Sequence, residues 1–347
     1  MQLGILSFGD LRLDPVTGAR QPVAQQLSET LERIRLADQV GLGFYGLGEH
    51  HLDQFAISNP ATVLAAAAAI TSRITLSSAV TVLSTDDPVR VYQQFATLDQ
   101  LSGGRAEIIA GRGSFTESFP LFGASLDDYD ELYAEKLDLL LQIDRGGVPL
   151  NWSGKFRPPL HDAEIYPRAF GDHLRISLGT GGNPGSSVRA GELGLPIVYA
   201  IIGGEPERFA PLVDLYRRTA REHDSTPDVT MSGIGLIADK SQDAKDKYYP
   251  YWLQTMKYGA KARGWSVPGR AEYDHYTNGA RSILTGSPDE IVDRLAPVVE
   301  LTQPDRYAFQ FDWSGVPHSD VMHSIELLGT KVRPQLESAG TTAGARS

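Results

Sequence analysis

Cysteine is absent from this 347-residue chain, which removes disulfides, thiolate metal sites and thiol nucleophiles from consideration at once. Positive charge is in short supply: 32 Lys and Arg face 43 Asp and Glu, a formal net charge of −11. Nucleic acid and anionic membranes both demand clustered basic residues, so neither is expected as a main partner. Long hydrophobic runs are missing too. The longest soft stretch, Ala61 to Ile70, contains Thr62 and is too short to span a bilayer. The start, Met1-Gln2-Leu3-Gly4-Ile5, has no basic segment followed by a long apolar one, so no signal peptide is read and a cytoplasmic location is expected. No Gly-x-Ser-x-Gly elbow, Walker loop or His-Glu-x-x-His zinc helix occurs.

What is present reads as an α/β chain. Compact apolar runs predict strands at Leu3–Phe8, Phe44–Leu47, Ile74–Leu83, Ala106–Gly111, Leu174–Thr180, Pro196–Ile202, Thr230–Ala238 and Arg306–Trp313. Between them, apolar residues recur at helical spacing, as in Val23, Leu27, Leu31 and Ile34. Asn59-Pro60, Asp87-Pro88 and Ser287-Pro288 each place a capping side chain before a proline suited to the first helical position. Eight strands alternating with helices predict a single (β/α)8 TIM barrel; a doubly wound sheet is the competitor, and the count and even spacing favour the barrel. Residues 239–286, between strands seven and eight, are too long for a plain connection and read as an insertion within a barrel domain of residues 1–338. Residues 339–347 are mostly small or polar, as in a flexible tail.

The chemistry is expected at Gly46-Leu47-Gly48-Glu49-His50-His51-Leu52-Asp53, where a short buried strand ends in two carboxylates and two imidazoles. Strands of an α/β barrel deliver catalytic groups from their C-terminal ends. An isolated His-His pair more often satisfies a buried carbonyl and solvent, so this cluster needs support from the rest of the chain. Adjacent residues on an extended strand face opposite ways, which makes His50 and His51 poor joint metal ligands; no metal is expected, and a metal-dependent hydrolase is disfavoured. After strand five, Gly181-Gly182-Asn183-Pro184-Gly185-Ser186-Ser187 leads into a helix. Its amides suit a phosphate dianion, or the glycines simply relieve a tight turn. Arg112, just past strand four, offers a guanidinium for the same phosphate or for one of the many acids. Aromatics follow it at Phe115, Phe119 and Phe122, and the insertion holds Tyr248, Tyr249, Tyr251, Trp252, Tyr258, Trp265, Tyr273 and Tyr276. These read either as a roof over a flat ring or, more commonly, as helix packing.

Taken together, Glu49-His50-His51 with Ser58-Asn59-Pro60, Ala79-Val80-Thr81-Val82-Leu83 with Pro88-Val89-Arg90, and Leu98-Asp99-Gln100-Leu101-Ser102 with Gly104-Arg105 and Arg112-Gly113 form a specific combination. With it the chain resembles the bacterial luciferase-like family of flavin-dependent monooxygenases and oxidoreductases, from Leu3 to about Leu336. The resemblance implies a barrel that uses reduced FMN, supplied by a separate flavin reductase, and oxygen to oxidise a small organic substrate. It also implies a homodimer, with the helices after strands two and three as the interface. His50 would control the proton, supported by Glu49 and His51. Arg112, Gly181, Gly182, Asn183, Gly185 and Ser186 would hold the phosphate, and a non-proline cis peptide would fall at Ala79–Val80 beside the cofactor. Luciferase has acidic and hydroxyl residues where this chain has Gly181-Gly182-Asn183, and a cysteine where it has Gly111. An enzyme using deazaflavin F420 for hydride transfer is the runner-up on the same fold. A non-catalytic flavin-binding protein is the alternative from another class.

Overall fold

A computed structural model describes residues 1–13, 18–147, 149–201, 205–263, 266–278 and 283–344. Eight parallel strands close into a barrel: β1 (Gln2–Ser7), β2 (Phe44–Leu47), β3 (Thr75–Ser78, resuming at Thr81–Val82), β4 (Ala106–Gly111), β5 (Arg175–Thr180), β6 (Ile197–Tyr199), β7 (Val229–Ile237) and β8 (Arg306–Gln310). Each pairs with its successor, and β8 closes the ring by pairing Arg306 with Thr230 on one side and Gln2 on the other. This is the (β/α)8 TIM barrel that the strand count predicts.

Local chemistry accounts for the surrounding helices. Asn59 caps α2 (Pro60–Ala68) by accepting from the Thr62 amide at 3.1 Å. Asp87 caps α3 (Pro88–Ser102), which stops at Gly103 with φ 69°, a left-handed conformation that glycine adopts without strain. Before them α1 spans Val23–Gln39, and after them α4 spans Tyr129–Arg145, α5 Pro184–Glu192 and α6 Ala210–Glu222.

The segment 239–286 contains α7 (Ser241–Arg263), α8 (Arg270–Asn278) and a short extra strand, Ile283–Gly286. That strand pairs with the outer half of β7, which at nine residues extends beyond its barrel neighbours. The insertion's aromatics pack helices: Tyr248, Trp252 and Tyr273 are buried, and the Trp252 and Tyr273 rings lie 5.0 Å apart. The Tyr258 side chain and Trp265 lie outside the described residues. Helices α9 (Pro288–Thr302) and α10 (His318–Leu327) complete the ring. Helix α11 (Arg333–Gly344) is helical past Ala339, where composition suggests a tail.

Alternation along the strands sorts the barrel interior into layers. Leu6, Ala79, Ile109, Val198 and Ala308 form an apolar layer. Two residues earlier on three of these strands stand Ser77, Glu107 and Arg306, and β5 adds Arg175 and Ser177. Glu107 is fully buried and saturated with donors. Its Oε1 accepts from Arg306 at 2.7 Å, Ser177 at 2.8 Å and Arg175 at 3.0 Å. Its Oε2 accepts from Arg306 at 2.9 Å and from the Ser77 hydroxyl. Burial alone would raise the Glu107 pKa; the Arg306 charge and hydrogen bonds, then Arg175 and Ser77, overcome this and lower it to about 2.

Removing one partner of such a pair strands the other charge. Glu107→Gln should therefore cost about 3–5 kcal/mol of stability, read from urea unfolding at neutral pH. Because the folded pKa is depressed, the Glu107 contribution is complete above the ordinary value of 4.5 and fades as pH falls toward about 2. The variant should lack that part of the acid dependence. An unchanged acid transition would show that the cluster contributes no pH-dependent stability.

Candidate active site

The strands' C-terminal ends surround a cavity of about 780 Å³, open solvent at its mouth included. Its floor and walls come largely from inward strand positions and the residues just beyond: Leu6, Phe8, Ala79, Ile109, Val198 and Ile234 are apolar, while Gln310 and Ser232 are polar. The Ala79–Val80 peptide bond is cis, at the place the family resemblance indicates. Val80 projects between two glycines. A Cβ at Gly111 would lie 2.4 Å from one Val80 methyl, and a Cβ at Gly179 would lie 2.6 Å from the other. Any side chain at Gly111, cysteine included, would displace Val80 from the cavity wall.

Glu49 and His50 line this cavity, and each is 9% exposed. The pairing differs from the expectation that Glu49 and His51 support His50. Glu49 Oε1 instead pairs with His51 Nε2 at 2.9 Å, and Oε2 accepts from the Val82 amide at 2.9 Å. This dyad ties the end of β2 to the resumed part of β3. His50 Nδ1 pairs with Glu117 Oε1 at 3.2 Å, and its ring stacks on Phe55 with centroids 4.2 Å apart. Phe8 and Phe115 meet the same ring edge-on at 4.9 and 4.8 Å. Glu117 also accepts from the His51 amide at 3.4 Å.

The electrostatics follow from these contacts. The Glu49 hydrogen bond raises the His51 pKa against the opposing effect of burial, and the charges of Glu49, Glu117 and Asp86 add to it. Burial pushes the Glu117 carboxyl up, but hydrogen bonds from His50 and the backbone outweigh it and hold the group below its ordinary range. Glu117 is thus an anion at neutral pH. It favours a proton on His50 Nδ1 and leaves Nε2, which has no partner among the described residues, as the atom free to accept one. Asp53 stands apart, paired with Arg20 at 2.8 Å on the surface.

The phosphate candidates do not line the cavity. Arg112 bonds Asp130 at 2.6 Å and lies over the Tyr129 ring at 5.4 Å. Asp130 is itself 74% exposed, so the pair is open to exchange. In the turn after β5, Thr180 Oγ1 accepts from the Gly182 and Asn183 amides, each at 3.2 Å, and Asn183 Oδ1 accepts from Gly185 at 2.8 Å. Asn183 therefore caps α5 as Asn59 caps α2. Gly181 and Ser186 belong to the same turn, at a helix N-terminus whose dipole favours an anion. Gly179 lines the cavity and leads through Thr180 into this turn, so the two share one wall.

Of the aromatics after Arg112, Phe115 lines the cavity, Phe119 stacks on Tyr129, and the exposed Phe122 meets His51 edge-on. Sequence reasoning passed over Glu117 and Gln310. The available signals were a carboxylate inside the aromatic segment after Arg112 and an amide at an inward position of a buried strand. Among the described residues, no group of three or more His, Asp or Glu side chains is placed to hold a metal ion, and no helix is long and apolar enough to cross a membrane.

The fold recurs in proteins of known structure, and the sequence has known relatives. The chain is 24% identical to the alkanal monooxygenase alpha chain of Photobacterium leiognathi, over 94% of this chain and 99% of that one. Monooxygenase RslO1 from Streptomyces bottropensis superposes with a TM-score of 0.84 at 23% identity, covering 96% of this chain and 99% of its own. The oxygenating constituent of 3,6-diketocamphane monooxygenase from Pseudomonas putida, solved with FMN, gives 0.75 at 21% identity, covering 96% and 99%. The coenzyme F420 dependent tetrahydromethanopterin reductase from Methanopyrus kandleri gives 0.72 at 20% identity, again covering 96% and 99%. Residues 1–303 match the model of the luciferase-like monooxygenases, and the chain belongs to that family.

Proposed function

We propose that this protein is an FMN-dependent monooxygenase that takes reduced FMN from a separate reductase and, with oxygen, oxidises a small, largely apolar substrate. The observation that carries this reading is the cavity itself. It is an apolar cup with a positioned imidazole at its rim, and one wall runs through Gly179 and Thr180 to a helix N-terminus. The residues suit a flavin: the small side chain at Ala79 leaves room for a flat ring, and a buried amide nitrogen of Gln310 lacks a partner. Bound there, reduced flavin would supply the electrons that activate oxygen. Around it, Phe8, Val80, Val82 and Phe115 exclude water, Arg112 and the 181–186 turn hold the phosphate, and His50 Nε2 accepts or returns a proton. A homodimer through α2 and α3 belongs to the same reading. Deazaflavin F420 is the competing cofactor, and titrating the protein separately with FMN, reduced FMN and F420 distinguishes the two by absorbance.

Two outcomes follow for single variants. If the phosphate is held as described, FMN binds far more tightly than riboflavin, and Arg112→Ala weakens FMN by about 1.5–3 kcal/mol, the scale of a hydrogen bond to a charged group. Asp130→Asn, which frees the guanidinium, should tighten FMN. Equal affinities for FMN and riboflavin would refute the phosphate site.

For His50→Asn, reduced-FMN affinity should stay within about tenfold, or 1.4 kcal/mol, while coupled product formation drops by roughly 10²–10⁴, the usual range for loss of a general acid or base. Hydrogen peroxide should be released in place of product. Glu117→Gln, which keeps a hydrogen-bond acceptor for Nδ1 but removes its charge, should slow turnover less. A variant that melts early while its folded fraction turns over normally would make His50 a scaffold residue.

A further inference from the structure

Gln310, the last residue of β8, is 5% exposed and points into the barrel on the same face as Arg306 and Ala308. Its Nε2 is buried without a hydrogen-bond partner. The other polar side chains of the buried wall are engaged, save for His50 Nε2. Glu49 serves His51 and Val82. His50 Nδ1 serves Glu117. Ser232 donates to the Tyr199 carbonyl at 3.2 Å and accepts from the Ile201 amide at 3.1 Å. The same cavity is lined by Leu6, Ile109, Val198 and Ile234, whose side chains cannot accept a hydrogen bond. As placed, neither amide atom of Gln310 has a hydrogen-bond partner among the described residues and the N–H is unmet, although a leucine or methionine would fill the same space without that cost.

We infer that the Gln310 carboxamide is the hydrogen-bonding anchor for a carbonyl oxygen on the molecule that occupies the cavity. The inference deepens the flavin reading and partly rests on it. The carbonyl has two sources: the pyrimidine-like ring of the flavin, or the oxidisable substrate. In both, a flat or apolar body is held by the cup while a single acceptor meets the amide. Gln310 is then a positioning residue at the cavity floor, distinct from the proton-handling pair at the rim.

The test uses Gln310→Leu and Gln310→Met, neither of which can donate a hydrogen bond from its side chain, with riboflavin, FMN, 2-octanone and octane as probes. Both substitutions should weaken ligand binding, and Gln310→Leu should melt no lower than wild type, because an unmet buried donor is removed. If the flavin supplies the carbonyl, riboflavin and FMN each bind tenfold or more weakly, and the visible absorption bands of bound FMN shift. If the substrate supplies it, flavin binding and spectrum stay as in wild type, while the preference for 2-octanone over octane shrinks by tenfold or more. Unchanged flavin affinity, spectrum and ketone preference would overturn the inference, as would a marked loss of melting temperature, which would make Gln310 a packing residue. Wild-type protein that binds neither flavin defeats the FMN reading instead, and Gln310 is then decided on the ketone arm alone.

Discussion

The cavity depends on the ion pair beneath it, Glu107 with Arg306. Strands β4 and β8 stand opposite each other in the ring of eight, so this pair spans the barrel. It draws in β3 through Ser77, β5 through Arg175 and Ser177, and β7 through Thr230, whose hydroxyl accepts from Arg306 at 2.9 Å. Desolvating these charges is costly, and hydrophobic replacements of equal volume often match or exceed such pairs in stability. What the cluster supplies is registry: its hydrogen bonds are met only when five strands stand at one relative height. A barrel sealed in this way is a cup rather than a pore.

Above the seal, side-chain size decides where the cup begins. Ala79 and Ala308 sit in the layer directly over the charges, and Gly111 and Gly179 in the next. A TIM barrel fills its interior with bulky branched residues as a rule. Here the layer over the charges holds two alanines, and Val80 fills the gap between the two glycines above it. Binding volume and glycine placement are therefore one feature: adding a Cβ at Gly111 or Gly179 moves Val80 and so reshapes the wall.

Much of this was legible in local sequence, because strand runs and helix caps are short-range signals. Asn59-Pro60, Asp87-Pro88 and Ser287-Pro288 all cap helices as their chemistry predicts. Asn183-Pro184 is the same device and takes the Gly185 amide, while Thr180 Oγ1 takes those of Gly182 and Asn183. Glu49, His50, Ala79 and Val80, which line the cavity, stood out in the sequence, but the side-chain pairings did not. Glu117 lies 67 positions from His50, and no periodicity connects the two. Glu107 and Arg306 carried a usable signal, since each is a charge within an otherwise apolar strand and such residues are seldom buried alone. Gln310 carried a weaker one, visible only once inward and outward positions were separated.

The two adjacent imidazoles show why pairings matter more than motifs. Backbone alternation sends His50 and His51 in different directions, and each finds its own carboxylate. His51 with Glu49 works as a staple: the same carboxylate accepts from the Val82 amide, just past the cis bond, so it fixes the wall formed by Ala79 and Val80. His50 with Glu117 joins the end of β2 to the loop after β4, which also carries Phe115 over the imidazole. Glu117 is held below the ordinary carboxylate range, so the link persists through neutral and mildly acid pH and is lost only as pH falls through that lowered value. The tautomer of His50 and the aromatic cover at the cavity mouth are consequently set by one segment. Withdrawing this segment would therefore remove the Nδ1 partner of His50 and its aromatic cover together.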